Sequence, residues 1–125
     1  MLSFPPSPQV KIFVCRKSVD MRKSFNGLSG AVIDIVDHDP QSGHVFVFFN
    51  SRRTMMKALV WESSGYWVLA KRLDQGRFQV FDSAAGDESR FEIGSSDLAL
   101  LLDGIDLRGA RRRQAQREAQ QQLAT

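Results

Sequence analysis

The 125-residue sequence predicts an α+β domain: a mostly antiparallel sheet of five to six strands, one long N-terminal helix and one short C-terminal helix. Three observations carry this expectation. Runs rich in Val, Trp, Tyr and Leu on either side of Ser63-Ser64-Gly65 read as two strands joined by a hairpin. Met21, Phe25, Leu28, Val32 and Ile35 recur at spacings of three and four, which is one helical face. Leu98, Leu101 and Leu102 follow Ser95-Ser96 with the pattern of a second, shorter helix.

Taken in order, residues 1–9 hold three of the four prolines and read as a flexible arm. Val10 to Cys15 is a first strand, and Arg16-Lys17-Ser18-Val19 a basic loop. Asp20 is placed to cap a helix running to about Val36. Gly27 and Gly30 inside it suggest close packing onto a sheet. Arg22 and Lys23 would then lie in its first turn, where the helix dipole disfavours cations, a hint of an anionic partner. The segment 37–43 has turn chemistry. Val45 to Phe49 is an apolar strand, and a polar loop, 50–54, leads into the hairpin. Arg77 to Phe81 alternates as another strand, 82–89 is an acidic loop, and Arg90 to Ile93 is a last short strand. Gly104 is placed to end the C-terminal helix. A single globular domain therefore spans 10–107, with a basic tail over 108–125, helical or disordered.

Charge is segregated along the chain. From Lys11 to Arg77 eleven Lys or Arg stand against six Asp or Glu; from Asp82 to Asp106 one arginine stands against seven acids; from Arg108 onward five arginines stand against one glutamate. Such a distribution suits anionic partners at two places and a cationic one at a third. No apolar run approaches the roughly 20 residues that cross a bilayer, so no membrane role is expected. The first residues lack the pattern of a signal peptide. With Cys15 as the sole cysteine, a cytoplasmic setting and a buried structural thiol are the default.

The sequence carries few motifs of catalytic or metal chemistry. There is no nucleophile elbow, Walker loop or other cofactor motif. Cys15 and His44 form a nucleophile and base only if the fold brings them together. His38, Asp39 and His44 lack strict metal-ligand spacing. Asp34, Asp37 and Asp39 could form a metal-dependent nuclease cluster, though a solvated helix end explains them more simply. What remains is a set of cations, Arg22, Lys23, Arg52, Arg53, Lys57, Lys71, Arg72 and Arg77, with Trp61, Tyr66, Trp67 and Phe78 interleaved. That is the composition of a nucleic-acid-binding sheet: cations for phosphates and flat apolar faces for bases. Strand alternation nevertheless sets Lys71 and Arg72 on opposite faces.

Four phrases in order carry a resemblance: 19–28 (VDMRKSFNGL), 40–48 (PQSGHVFVF), 71–78 (KRLDQGRF) and 101–106 (LLDGID). The sequence resembles the TnpB accessory proteins, products of the second reading frame, of the IS66 family of bacterial insertion sequences. The motif positions include Asp20, Met21, Phe25, Gly27, Gly43, His44, Trp61, Gly76 and Phe78 beside the cations above. Phe49 stands where an arginine is common in that family. The resemblance implies a non-catalytic role in transposition, with the transposase of the same element and transposon DNA as partners. It implies no cofactor. Two alternatives stand beside DNA contact: a module that docks on the transposase without touching DNA, and a small metal-dependent nuclease.

Overall fold

The computed structural model describes residues 9–79 and 89–103. Five strands, β1 (Ile12–Cys15), β2 (Val45–Phe49), β3 (Met55–Glu62), β4 (Gly65–Arg72) and β5 (Arg90–Ile93), form one sheet in the order β4-β3-β2-β1-β5. The sheet is mixed. β1 and β2 run parallel, with Ile12 opposite Val45, while the other three pairings are antiparallel. This corrects the expected fold. Parallel neighbours need a crossover, and the helical segment between β1 and β2 supplies it.

That segment is also shorter than its periodicity suggests. It comprises α1 (Phe25–Ala31) and a π-helical extension, Val32–Val36. Asp20 does not cap it. Its carboxylate accepts the Arg22 N–H at 2.8 Å, and the Lys23 N–H bonds to the Asp20 carbonyl at 3.1 Å, closing a turn ahead of the helix. An aspartate stabilises such a turn as readily as a helix start, so the residue type alone does not separate them. Arg22 and Lys23 thus precede the helix and do not sit in its first turn.

The π extension changes which residues are buried. Its wider turn carries the inner stripe through Leu28, Val32 and Val36 at spacings of four, leaving Ile35 half-buried and Phe25 49% exposed. Asp37, left-handed at φ 57°, closes the segment, and the His38 N–H reaches back to the Val32 carbonyl at 3.1 Å. A Cβ on Gly27 would meet the Lys23 side chain at 3.0 Å rather than the sheet, and one on Gly30 would meet nothing within 4 Å. Neither glycine therefore marks helix-on-sheet contact.

The sheet has a core on each face. Phe13, Cys15, Phe46, Phe48 and Leu59 pack with Leu28, Ala31, Val32 and Val36 on the α1 side. Ile12, Val14, Val45, Val47, Met56 and Ala58 pack with Phe78 and with Leu98 and Leu101 of α2 (Ser95–Leu102) on the other. β2 is buried on both faces, which is why its run of five apolar residues does not alternate. Gly94, not Ser95 or Ser96, occupies the N-cap of α2. The expected strand over 77–81 does not form at Arg77–Gln79, and its last two positions lie outside the described residues, as do the arm, the acidic loop's centre and the tail.

A candidate nucleic-acid interface at one end of the sheet

Because β1 and β2 are parallel, their carboxyl ends emerge side by side. The start of β3 and the end of β4 lie at the same end. Three loops meet there, over 16–24, 50–54 and 73–78. Backbone hydrogen bonds tie them together. The Val19 N–H donates to the Phe49 carbonyl at 3.0 Å, the Leu73 N–H to Thr54 at 2.9 Å and the Phe78 N–H to Arg53 at 2.7 Å. Asn50 organises the middle loop, its Oδ1 accepting the N–H groups of Thr54 and Met55 at 2.9 and 3.1 Å and its Nδ2 donating to Thr54 Oγ1 at 3.0 Å. Arg53 sits there with φ 56°.

The structure brings Arg22, Lys23, Arg52, Arg53, Arg72 and Arg77 to this end, all exposed. It adds Arg16 and Lys17, which the sequence showed only as a basic loop. Their membership follows from the parallel β1–β2 pairing, which no local pattern announces. Arg22 is not a simple cation, because its guanidinium forks onto Asp20 with contacts from 2.6 to 3.1 Å. That fork holds the Asp20 carboxyl down at about 2 and raises the Arg22 pKa.

Lys57 and Lys71 are engaged in the fold. Lys57 is half-buried and its Nζ donates to the Lys23 carbonyl at 2.8 Å, joining β3 to the loop before α1. Lys71 lies on the opposite face from Arg72, and its ammonium donates to the carbonyl of Leu102, the last residue of α2. An ammonium at a helix C-terminus satisfies an orphan carbonyl and complements the dipole. Arg90, which the sequence did not single out, does the same for the π extension: its guanidinium donates to the carbonyls of Val36 at 2.6 Å and Asp37 at 3.3 Å and lies 5.6 Å from the Phe13 ring.

The aromatics do not interleave with the cations. Trp61 and Tyr66 pack edge to face, centroids 4.9 Å apart, beside the hairpin turn at the far end of the sheet. Phe78 is 1% exposed and packs on Phe49. Trp67 is 50% exposed but lies on the α2 side of β4. The cationic end therefore presents charge rather than a row of stacking rings.

The catalytic pairings separate. His44 accepts the Lys11 N–H on Nδ1 at 3.0 Å, before β1 begins, whereas Cys15 ends that strand. Burial raises the Cys15 pKa, and its thiol donates to the Lys17 carbonyl at 3.3 Å. Burial lowers the His44 pKa, with nearby His38 and Lys11 acting in the same direction. Asp39 spends its carboxylate on the Gln41 N–H at 2.9 Å. Among the described residues no three His, Cys, Asp or Glu side chains are placed to hold a metal ion. Gly43 and Gly76 hold left-handed turns at φ 85° and 76°, and Met21 packs at the edge of the α1-side core. These motif positions shape the fold. None of the described helices is long and apolar enough to cross a membrane.

The fold and site define a small three-layer α/β protein with cationic loops at one end of a mixed sheet. The chain belongs to the IS66 Orf2-like proteins, whose family model matches residues 10–112, and this ties it to a bacterial insertion sequence. Among curated proteins it is 33% identical over 104 residues to the uncharacterized protein y4hO of Sinorhizobium fredii, covering 83% of this chain and 88% of that one. It is 29% identical over 112 residues to the uncharacterized protein y4jC of the same organism, covering 90% and 93%. No solved structure matches.

Proposed function

We propose that this chain is a non-catalytic accessory factor in transposition of its insertion sequence, contacting DNA phosphates through the cationic end of the sheet. The observation that carries this reading is the gathering of Arg16, Lys17, Lys23, Arg52, Arg53, Arg72 and Arg77 on three hydrogen-bonded loops. Phosphate contact gives sequence-independent affinity and a steep salt dependence. Support for the non-catalytic part comes from the neutral, buried Cys15 and its separation from His44.

Fluorescence anisotropy with a transposon-end duplex across a salt series tests it. Replacing Arg72 and Arg77 by Gln should flatten the slope of log K against log salt by up to about 1.8, at roughly 0.9 per phosphate contact. An unchanged slope would remove both residues from the interface. A second reading, docking on the transposase without DNA, draws on Trp67, half-exposed on the edge strand β4. Capture of the transposase in high salt, lost on Trp67→Ser, with no duplex binding at any salt, would replace the first reading by the second.

A further inference from the structure

Within the cationic end there is a pocket of about 250 Å³ that phosphate contact along a duplex does not account for. It lies outside the carboxyl ends of β1 and β2, where the chain leaves β1 for β2 on one side while β5 pairs with β1 on the other. In open α/β sheets ligands settle outside the carboxyl ends of parallel strands, here β1 and β2. Cys15 and Phe49 at the strand ends and Phe91 of β5 form its apolar wall. Arg16, Ser18, Ser51 and Arg53, residues with guanidinium and hydroxyl side chains, also line it. Among the described residues, no carboxylate lines it.

The wall is organised for an anion. The Arg16 guanidinium lies 5.3 Å from the Phe91 ring centroid, which presents its planar fork from a fixed surface. Both arginines have partners within the protein, and a guanidinium carries five N–H donors. Asn50 also lines the pocket, yet its amide is spent on Thr54 and Met55, so it fixes the loop that carries Ser51 and Arg53. Burial keeps the Cys15 thiol neutral, adding no opposing charge. The volume falls just under the roughly 300–1,000 Å³ of sites for drug-sized ligands, so it suits a phosphate with part of a sugar rather than a whole dinucleotide.

We infer that this pocket seats a single phosphomonoester group, held by Arg16 and Arg53 with the hydroxyls of Ser18 and Ser51. The 5′-phosphate of a DNA end and a free nucleoside monophosphate share that chemistry. The DNA-end form rests on the proposed DNA contact; the free form does not.

The test uses the full chain in two arms. In the first, inorganic phosphate and a nucleoside 5′-monophosphate are titrated against the isotope-labelled protein. The amides of Ser18, Ser51 and Phe91 should shift saturably. Arg16→Gln should weaken binding about tenfold, the loss of a charge-assisted pair. Should Arg16→Gln not fold, Ser18→Ala with Ser51→Ala keeps every charge and should still weaken binding about threefold, roughly the loss of an ordinary hydrogen bond or two. In the second arm, duplexes with 5′-phosphate and 5′-hydroxyl ends are compared by anisotropy. Tighter binding of the phosphorylated duplex, reduced in the double serine variant, assigns the pocket to DNA ends. Phosphate binding with equal duplex affinities assigns it to a free phosphate compound. Absence of any shift at those amides, together with indifference to the 5′ end, overturns the pocket, even where the duplex itself binds with a steep salt slope. Saturable phosphate binding with no duplex binding keeps the pocket and overturns the DNA reading instead.

Discussion

His44 shows how one motif residue serves the fold. Its Nδ1 must be unprotonated to accept the Lys11 N–H at 3.0 Å, and the His44 backbone N–H donates to Ser42 Oγ at 3.3 Å. Burial lowers its pKa below 6.5, the repulsion of His38 and Lys11 adds to this, and Glu92 opposes it. The folded state therefore prefers the neutral ring. Stability from this group is complete above the unfolded value near 6.5 and is lost as pH falls from there through the lower folded pKa. Melting curves from pH 7.5 to 5 should show a decline for the natural protein that His44→Asn lacks, because an asparagine Oδ1 can replace Nδ1 as acceptor without titrating there. Parallel declines would assign the pH dependence to other groups. The Asp20–Arg22 fork makes a different prediction. With its guanidinium already on a carboxylate, Arg22→Gln should flatten the DNA salt slope by less than Arg77→Gln does. Equal effects would mean that DNA displaces Asp20.

At the scale of the elements, the hairpin was the most legible part of the sequence. Register runs from Met55 opposite Arg72 to Glu62 opposite Gly65, leaving Ser63 and Ser64 as the turn. Ser63 holds φ 57°, a conformation that disfavours a residue with a Cβ. Ser63→Gly should thus raise stability by about 0.5–1 kcal/mol in denaturant titration; a loss would show that the serine side chain contributes to the turn. The start of the helix was less legible. Asp20 fits both a helix cap and a turn, and only the long-range bond from Val19 to Phe49 fixes where the chain turns. The π extension was not legible, because its wider turn keeps the same apolar residues and only changes which face inward. Lys71 reads locally as a strand cation, and its bond to Leu102 depends on where α2 docks. Lys71→Met keeps the stem and removes the ammonium. It should cost about 1 kcal/mol of stability and leave the DNA salt slope unchanged. A flatter slope with unchanged stability would place Lys71 on DNA instead.

Across the whole molecule, the parallel β1–β2 pair converts scattered charge into polarity. Three basic stretches far apart in sequence share one end of the sheet. Glu62 lies at the other, where β2 starts and the hairpin turns. The eight residues of β3 separate the ends by about 26 Å, at roughly 3.3 Å per residue. At physiological salt the Debye length is about 8 Å, so charges at one end are largely screened from a partner held at the other. This makes the site of DNA contact testable without a complex structure. Glu62→Gln removes an acid at the hairpin end and should change duplex affinity by less than about twofold at physiological salt. Removing one cation at the other end by Arg77→Gln should flatten the salt slope by about 0.9. Were Glu62→Gln to tighten binding strongly while Arg77→Gln did nothing, DNA would lie along the hairpin, and the cationic end would be free to face another partner.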